Sequence, residues 1–159
     1  MAKRAKNNTV SVERVIPAPP ERIFALLSSP DRHAEIDGSG TVQHSRGPGE
    51  RLQLGSSFGM SMKAGARYST RNEVVELEEN RRIAWRTFQG PTAKIASGRT
   101  WRYELEPAQG GTLVRETWDI STEAAPARPL IRRMAETTRR NMEQTLARIE
   151  EIVTRDAQH

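Results

Sequence analysis

Few groups in this sequence could carry out chemistry, and the sharpest is Glu116. A tight turn at Gln109-Gly110 joins two alternating runs. Folding them back on that turn sets Leu105 opposite Val114, Tyr103 opposite Glu116 and Trp101 opposite Trp118. On the other side of the same hairpin, Glu104 meets Arg115 and Arg102 meets Thr117. Opposite charges pair on one face and aromatics on the other, as antiparallel strands favour. A slip of one residue would mix the two sets. Glu116 is therefore expected on an apolar inner face, with no Lys or Arg beside it. Desolvation there raises a carboxyl's pKa, and a hydrogen bond from the Tyr103 hydroxyl opposes the rise. A raised carboxyl beside a phenol can move protons in a dehydration or an aldol-type cyclisation, which makes Glu116 and Tyr103 the candidate catalytic pair. The plainer alternatives are a Glu–Tyr pair that satisfies itself, or a bulge that turns Glu116 outward.

The remaining chemical signals are weak. The chain has no Cys, so it has no thiol nucleophile, disulfide frame or thiolate metal site. His33, His44 and His159 lack metal-ligand spacing, and neither a metal nor a cofactor is expected. His33 lies in a short helical stretch, Asp31 to Ile36, and is expected on its solvated side, with the mouth of a pocket as the alternative. Gly47-Pro48-Gly49 lacks the Lys-Ser/Thr of a phosphate loop, and no Gly-x-Ser-x-Gly elbow is present.

The elements that must hold these residues follow from pattern. The 159 residues suit one domain, placed at 9–155 behind a loose basic tail, 1–8, that carries Lys3, Arg4 and Lys6. Net charge is +5 and only 35% of residues are hydrophobic, so a folded but lean domain is expected. No stretch of about 18 apolar residues exists to span a membrane, and MAKRAKNNTV lacks the apolar run of a signal peptide. A cytoplasmic location is expected by default.

Thr9 to Ile16 alternates as a strand until Pro17, Pro19 and Pro20 stop it. Pro20 suits the first turn of a helix, and Ile23, Phe24 and Leu27 recur at helical spacing. Ser29 then caps the second short helix. From Gly40 to Ile120 the texture is strand and turn: Thr41–Ser45, Arg51–Leu54 with Ser57–Lys63, Tyr68–Leu77, Ile83–Phe88, Gly98–Glu106 and Thr112–Ile120. Beyond Pro126 and Pro129, Leu130/Ile131, Met134, Thr138, Met142, Leu146, Ile149 and Val153 follow the 3.6-residue period. They predict one helix over 129–155, roughly 40 Å long.

The expected fold is α+β: a curved antiparallel sheet of about seven strands gripping a long C-terminal helix, with two short helices after strand 1 and an internal hydrophobic cavity. The cavity's expected lining is Phe58, Met60, Met62, Trp85, Trp101, Tyr103, Glu116, Trp118, Met134, Thr138 and Met142. Large apolar walls with few polar groups are what small-molecule sites look like. A solid core built from the same residues is the alternative reading.

Several stretches together resemble the polyketide cyclase/dehydrase family of the SRPBCC superfamily, the START-like helix-grip proteins. They are Val15 to Leu27 with its Ile16-Pro17-Ala18-Pro19-Pro20-Glu21 centre, Pro30-Asp31-Arg32-His33 through Gly40, and Phe58-Gly59-Met60-Ser61-Met62. Asn72 to Glu78 with Arg81 to Trp85, Trp101 to Leu105, and Gly111 to Asp119 complete the set. The resemblance implies a helix-grip fold with a hydrophobic cavity. It carries over no catalytic set, since the superfamily includes enzymes, carriers and ligand sensors.

The leading functional expectation is binding of a hydrophobic small molecule or lipid, without established chemistry. A cyclase or dehydratase using Glu116 and Tyr103 is the second. The third is a basic-surface protein that meets anionic membrane or nucleic acid through Arg132-Arg133 and Arg139-Arg140, nucleic acid being the weaker partner. The sequence leaves monomer and homodimer equally open.

Overall fold

A computed structural model describes residues 8–37, 42–46, 50–64, 66–88 and 98–157, without the side chains of 42–46, 60–64 and 66–69. Strand β1 (Thr9–Ile16) leads to helix α1 (Pro20–Leu27), a 3-10 turn (Pro30–Arg32) and the short helix α2 (His33–Ile36). Six strands follow: β2 (Val42–Arg46), β3 (Ser57–Ala64), β4 (Ala66–Glu78), β5 (Arg82–Phe88), β6 (Arg99–Ala108) and β7 (Gly111–Asp119). Helices α3 (Arg128–Arg132) and α4 (Ala135–Asp156) end the chain. The strands form one antiparallel sheet in the order β1-β7-β6-β5-β4-β3-β2. The architecture is the expected α+β sheet and helix.

The sheet curls. Laid flat at about 4.8 Å per step, its outer strands β1 and β2 would stand roughly 29 Å apart. Yet α4 packs on β1 and β7 and touches α2, and α2 in turn packs on β2. One helix-to-helix step of about 10 Å bridges the two edges only if they bend toward each other. Bulges at Val74/Glu76 in β4 and Val42/His44 in β2 supply local bends.

Registers across the sheet stack two rows on its inner face. One row runs Val12, Glu116, Tyr103, Ile83, Leu77; the next runs Val10, Trp118, Trp101, Trp85, Val74. The outer face carries charge: Glu13 accepts from Arg115 at 2.9 Å, Glu104 from Arg82 at 3.4 Å, and Glu76 from Arg102 at 3.0 Å. The β6–β7 pairing follows the sequence-derived register residue for residue.

Two expected elements differ. Arg51–Leu54 is not a strand; the Leu52 N–H donates to the Ser28 carbonyl at 2.8 Å, so this segment closes the end of α1 and Leu52 is buried there. The C-terminal helix is not continuous from Pro129. Arg133 and Met134 donate to Leu130 and Ile131, three residues back, so the chain tightens to a 3-10 turn between α3 and α4. That tightening shifts the buried stripe to Ile131, Ala135, Thr138 and Met142 and leaves Met134 50% exposed.

Candidate functional site

The site begins with the β6–β7 hairpin. Gly110 turns it at φ +89°, and Gly111 opens β7 with φ +150°. A Cβ on Gly111 would lie 2.0 Å from the Ile16 carbonyl oxygen, so only glycine allows β1 to close against β7 at this point. That closure sets Val12 on one side of Glu116 and Tyr103 on the other.

Glu116 is 2% exposed. Burial pushes its pKa up to about 8; the hydrogen bond with Tyr103 pulls it down, and the charge of Asp37 adds to the rise. At neutral pH the group is chiefly an uncharged acid. Its Oε1 has no hydrogen-bond partner among the described residues. Tyr103 is buried as well, and desolvation together with the acid beside it raises its pKa well above the usual value.

Aromatic rings continue from Tyr103. Trp85 tilts against it at 5.5 Å, and Phe58 meets Trp85 edge-on at 5.8 Å. His33 completes the group, stacked on Trp85 and edge-on to Phe58 at 5.5 Å. The sequence pattern alone places His33 in solvent; the structure buries it. The signal lies in the helix itself. His33 and Ile36 share its buried side, while Arg32 and Glu35 pair at 2.9 Å on the exposed side.

A carbonyl only accepts, so the 2.8 Å contact to the Leu27 oxygen puts the His33 proton on Nε2. Desolvation lowers the His33 pKa to about 4, which keeps the ring neutral and leaves Nδ1 as an acceptor. Asp37, at the end of α2, acts electrostatically on His33, Tyr103 and Glu116 alike. Arg148 of α4 donates to the Asp37 backbone carbonyl at 2.6 Å.

The structure therefore brings together Phe58, Trp85, Tyr103 and Glu116 from the expected lining, and adds His33 and Asp37. Trp118 is buried, and Trp101, 6.5 Å from it, is partly exposed. Thr138 and Met142 are buried on α4, while Met134 stands outside. The side chains of Met60 and Met62 lie outside the described residues. Of the basic helix pairs, Arg139 meets Glu136 and Glu143 and Arg140 meets Glu136, while Arg132 donates to the uncharged Asn8 side chain. Among the described residues no group of three or more His, Cys, Asp or Glu could hold a metal ion. No described helix is long and apolar enough to cross a membrane.

Chemically, the arrangement is an uncharged acid with one oxygen to spare, braced by a phenol and bordered by aromatic faces. It can donate a proton or hydrogen bond to an acceptor atom of a guest, and as a carboxylate it can accept a hydrogen bond.

Known proteins carry the same fold. The uncharacterized protein Rv0088 of Mycobacterium tuberculosis is 34% identical over 113 residues, which are 70% of this chain and 46% of that protein. The chain thus spans about half the length of the curated relatives it matches. The crystal structure of NE0264 from Nitrosomonas europaea aligns with TM-score 0.74 at 15% identity, over 96% of this chain and 98% of that one. The di-domain ARO/CYC StfQ from the steffimycin biosynthetic pathway aligns with TM-score 0.64 at 19% identity, over 99% of this chain and 55% of that one. The family model described as polyketide cyclase/dehydrase and lipid transport matches residues 8–154, and the chain belongs to that family.

Proposed function

We propose that the protein binds a hydrophobic small molecule or lipid between the inner face of its sheet and α4, with the Glu116–Tyr103 pair as the polar anchor. One observation carries this reading: Glu116 is buried with Oε1 unpartnered, on a row otherwise made of Val12, Tyr103, Ile83 and Leu77. A buried polar atom without a partner costs about 1–3 kcal/mol. A ligand group that pairs with it recovers that cost and gains the apolar contact of Trp85 and Phe58. Family membership supports the same reading.

Native mass spectrometry of the purified protein tests it, together with titration of the uncharged dye Nile red. A co-purifying apolar mass at one per chain, or saturable dye binding displaced by an apolar competitor, is expected. A bare chain that binds no dye would overturn the reading.

A second reading is proton-transfer catalysis of the cyclase or dehydratase type. The observation that favours it is the neutral acid at Glu116, held by Tyr103 and with Oε1 buried without a hydrogen-bond partner among the described residues. In that case Glu116→Gln abolishes turnover of a poly-β-keto substrate and retains its binding. Equal turnover in both proteins would remove Glu116 from the chemistry.

A further inference from the structure

We propose that the segment 124–134, which leads into α4, is a docking surface for an anionic lipid bilayer, with Leu130 and Met134 entering its interface and Arg132 and Arg133 meeting its phosphates. This surface lies outside the pocket, and the proposal does not rest on the binding reading above. Four large hydrophobic side chains are exposed among the described residues. Two of them stand here, Leu130 at 68% and Met134 at 50%, four residues apart. Helical residues at that spacing share a flank. Ala124, Ala125, Pro126 and Pro129 are exposed beside them, so the apolar surface is gathered in one stretch rather than scattered. Its aim is fixed from below. Ile131, between the two, belongs to the buried core, and the 3-10 hydrogen bonds of Arg133 and Met134 accompany the outward placement of its neighbours.

Charge selects the partner. Residues 124–135 contain no Asp or Glu and three cations, Arg128, Arg132 and Arg133. The acids at either end are committed, Glu123 to Arg99 at 3.5 Å and Glu136 to Arg139 and Arg140. None of the three arginines has a carboxylate partner among the described residues. Arg132 instead donates to the Asn8 side chain at 3.2 Å, which sets the start of β1 beside this surface. The seven residues before Asn8 add Lys3, Arg4 and Lys6 and no acid. Apolar tips beside basic groups suit a bilayer with anionic headgroups. The tips reach the acyl boundary, and each basic group near such a surface strengthens binding about fivefold. A nucleic acid would engage the arginines but leave Leu130 and Met134 in water, and the segment has no aromatic ring to stack on a base. A second copy docked about a two-fold axis would set the same basic surface against itself.

Cosedimentation of the full chain with vesicles makes the test, with phosphatidylcholine alone and with equal parts of phosphatidylcholine and phosphatidylglycerol. Binding is expected to the mixed vesicles, and roughly tenfold or more weaker binding to phosphatidylcholine alone. Raising salt from about 0.1 M to about 1 M should weaken the mixed-vesicle binding about tenfold. The double variants Leu130→Ser/Met134→Ser and Arg132→Gln/Arg133→Gln should each lose about tenfold, with urea midpoints close to that of the parent. Leu54→Ser removes a side chain that is 65% exposed elsewhere on the surface, and should bind like the parent. Absence of binding to the mixed vesicles would overturn the proposal. So would binding that Leu130→Ser/Met134→Ser leaves unchanged, or that Leu54→Ser weakens equally. A dimer in sedimentation equilibrium that Leu130→Ser/Met134→Ser dissociates would put a second copy on this surface and overturn it too. Tighter binding to duplex DNA than to mixed vesicles, lost in Arg132→Gln/Arg133→Gln and kept in Leu130→Ser/Met134→Ser, would assign the surface to nucleic acid instead.

Discussion

His33 stacks on Trp85 with ring centroids 4.9 Å apart and planes 21° from parallel. Its other commitment is the Nε2–H bond to the Leu27 carbonyl, the last residue of α1. One side chain therefore fastens the end of α1 and the start of α2 to the middle of the sheet. Removing it leaves a buried carbonyl without its donor, at about 1–3 kcal/mol, and forfeits a ring contact of about 0.5–1.5 kcal/mol. His33→Ala is expected to lose about 2–4 kcal/mol in urea unfolding. A loss under about 0.5 kcal/mol, the range of an ordinary surface change, would contradict the buried placement.

Stability should depend on pH through two buried groups of opposite sign. Glu116 titrates near 8 in the fold against an ordinary 4.5 in the unfolded chain, which gives up that proton sooner, so stability falls as pH rises across this range. His33 titrates near 4 against an ordinary 6.5, so the unfolded chain takes up a proton sooner and stability falls as pH drops below 6.5. Between 4.5 and 6.5 the two slopes oppose and largely cancel. Above 6.5 Glu116 acts alone, and about 2 kcal/mol should be lost by pH 8, at about 1.4 kcal/mol per unit. Urea unfolding across pH shows this directly. In Glu116→Gln the decline above 6.5 should vanish and a decline below 6.5 should emerge; an unchanged profile would refute the assignment.

The three tryptophans should divide by exposure. Trp118 is 2% and Trp85 9% exposed, while Trp101 is partly open. Iodide should quench a minor fraction of the folded protein's fluorescence, and Trp101→Phe should remove most of that fraction. Full quenching of all three would place the Trp row on the wrong face.

The break between α3 and α4 gives a contrast between two methionines. Met142 is 1% exposed and Met134 50%. Met142→Ala should cost about 2–4 kcal/mol, and Met134→Ala under about 0.5 kcal/mol. Equal costs would favour one continuous helix with both residues on its buried stripe.

Much of this is legible in the sequence because strands alternate and charges must pair. Glu104 with Arg115, set against Trp101 with Trp118, fixes a register that no neighbouring slip preserves, and with it the inward direction of Glu116. The burial of His33 is hidden because a four-residue helix is too short to show a period. Only its partner strands, brought close by the curl of the sheet, reveal which side is covered. Met134 misleads for a related reason. A 3-10 turn changes residues per turn without changing composition, so a 3.6-residue stripe runs through it unbroken on paper. Leu52 alternates like a strand residue, yet its N–H is claimed by the end of α1, a long-range partner that local pattern does not encode.

The anchor and the pH profile both turn on the charge state of one buried carboxyl. Carbon-13 NMR titration of the Glu116 side-chain carboxyl, assigned by comparison with Glu116→Gln, measures it in the intact protein. The expected result is a single transition near pH 8, from desolvation that the Tyr103 hydrogen bond only partly offsets. A midpoint near the ordinary glutamate value of 4.5 would show a solvated carboxylate and contradict the buried, uncharged anchor.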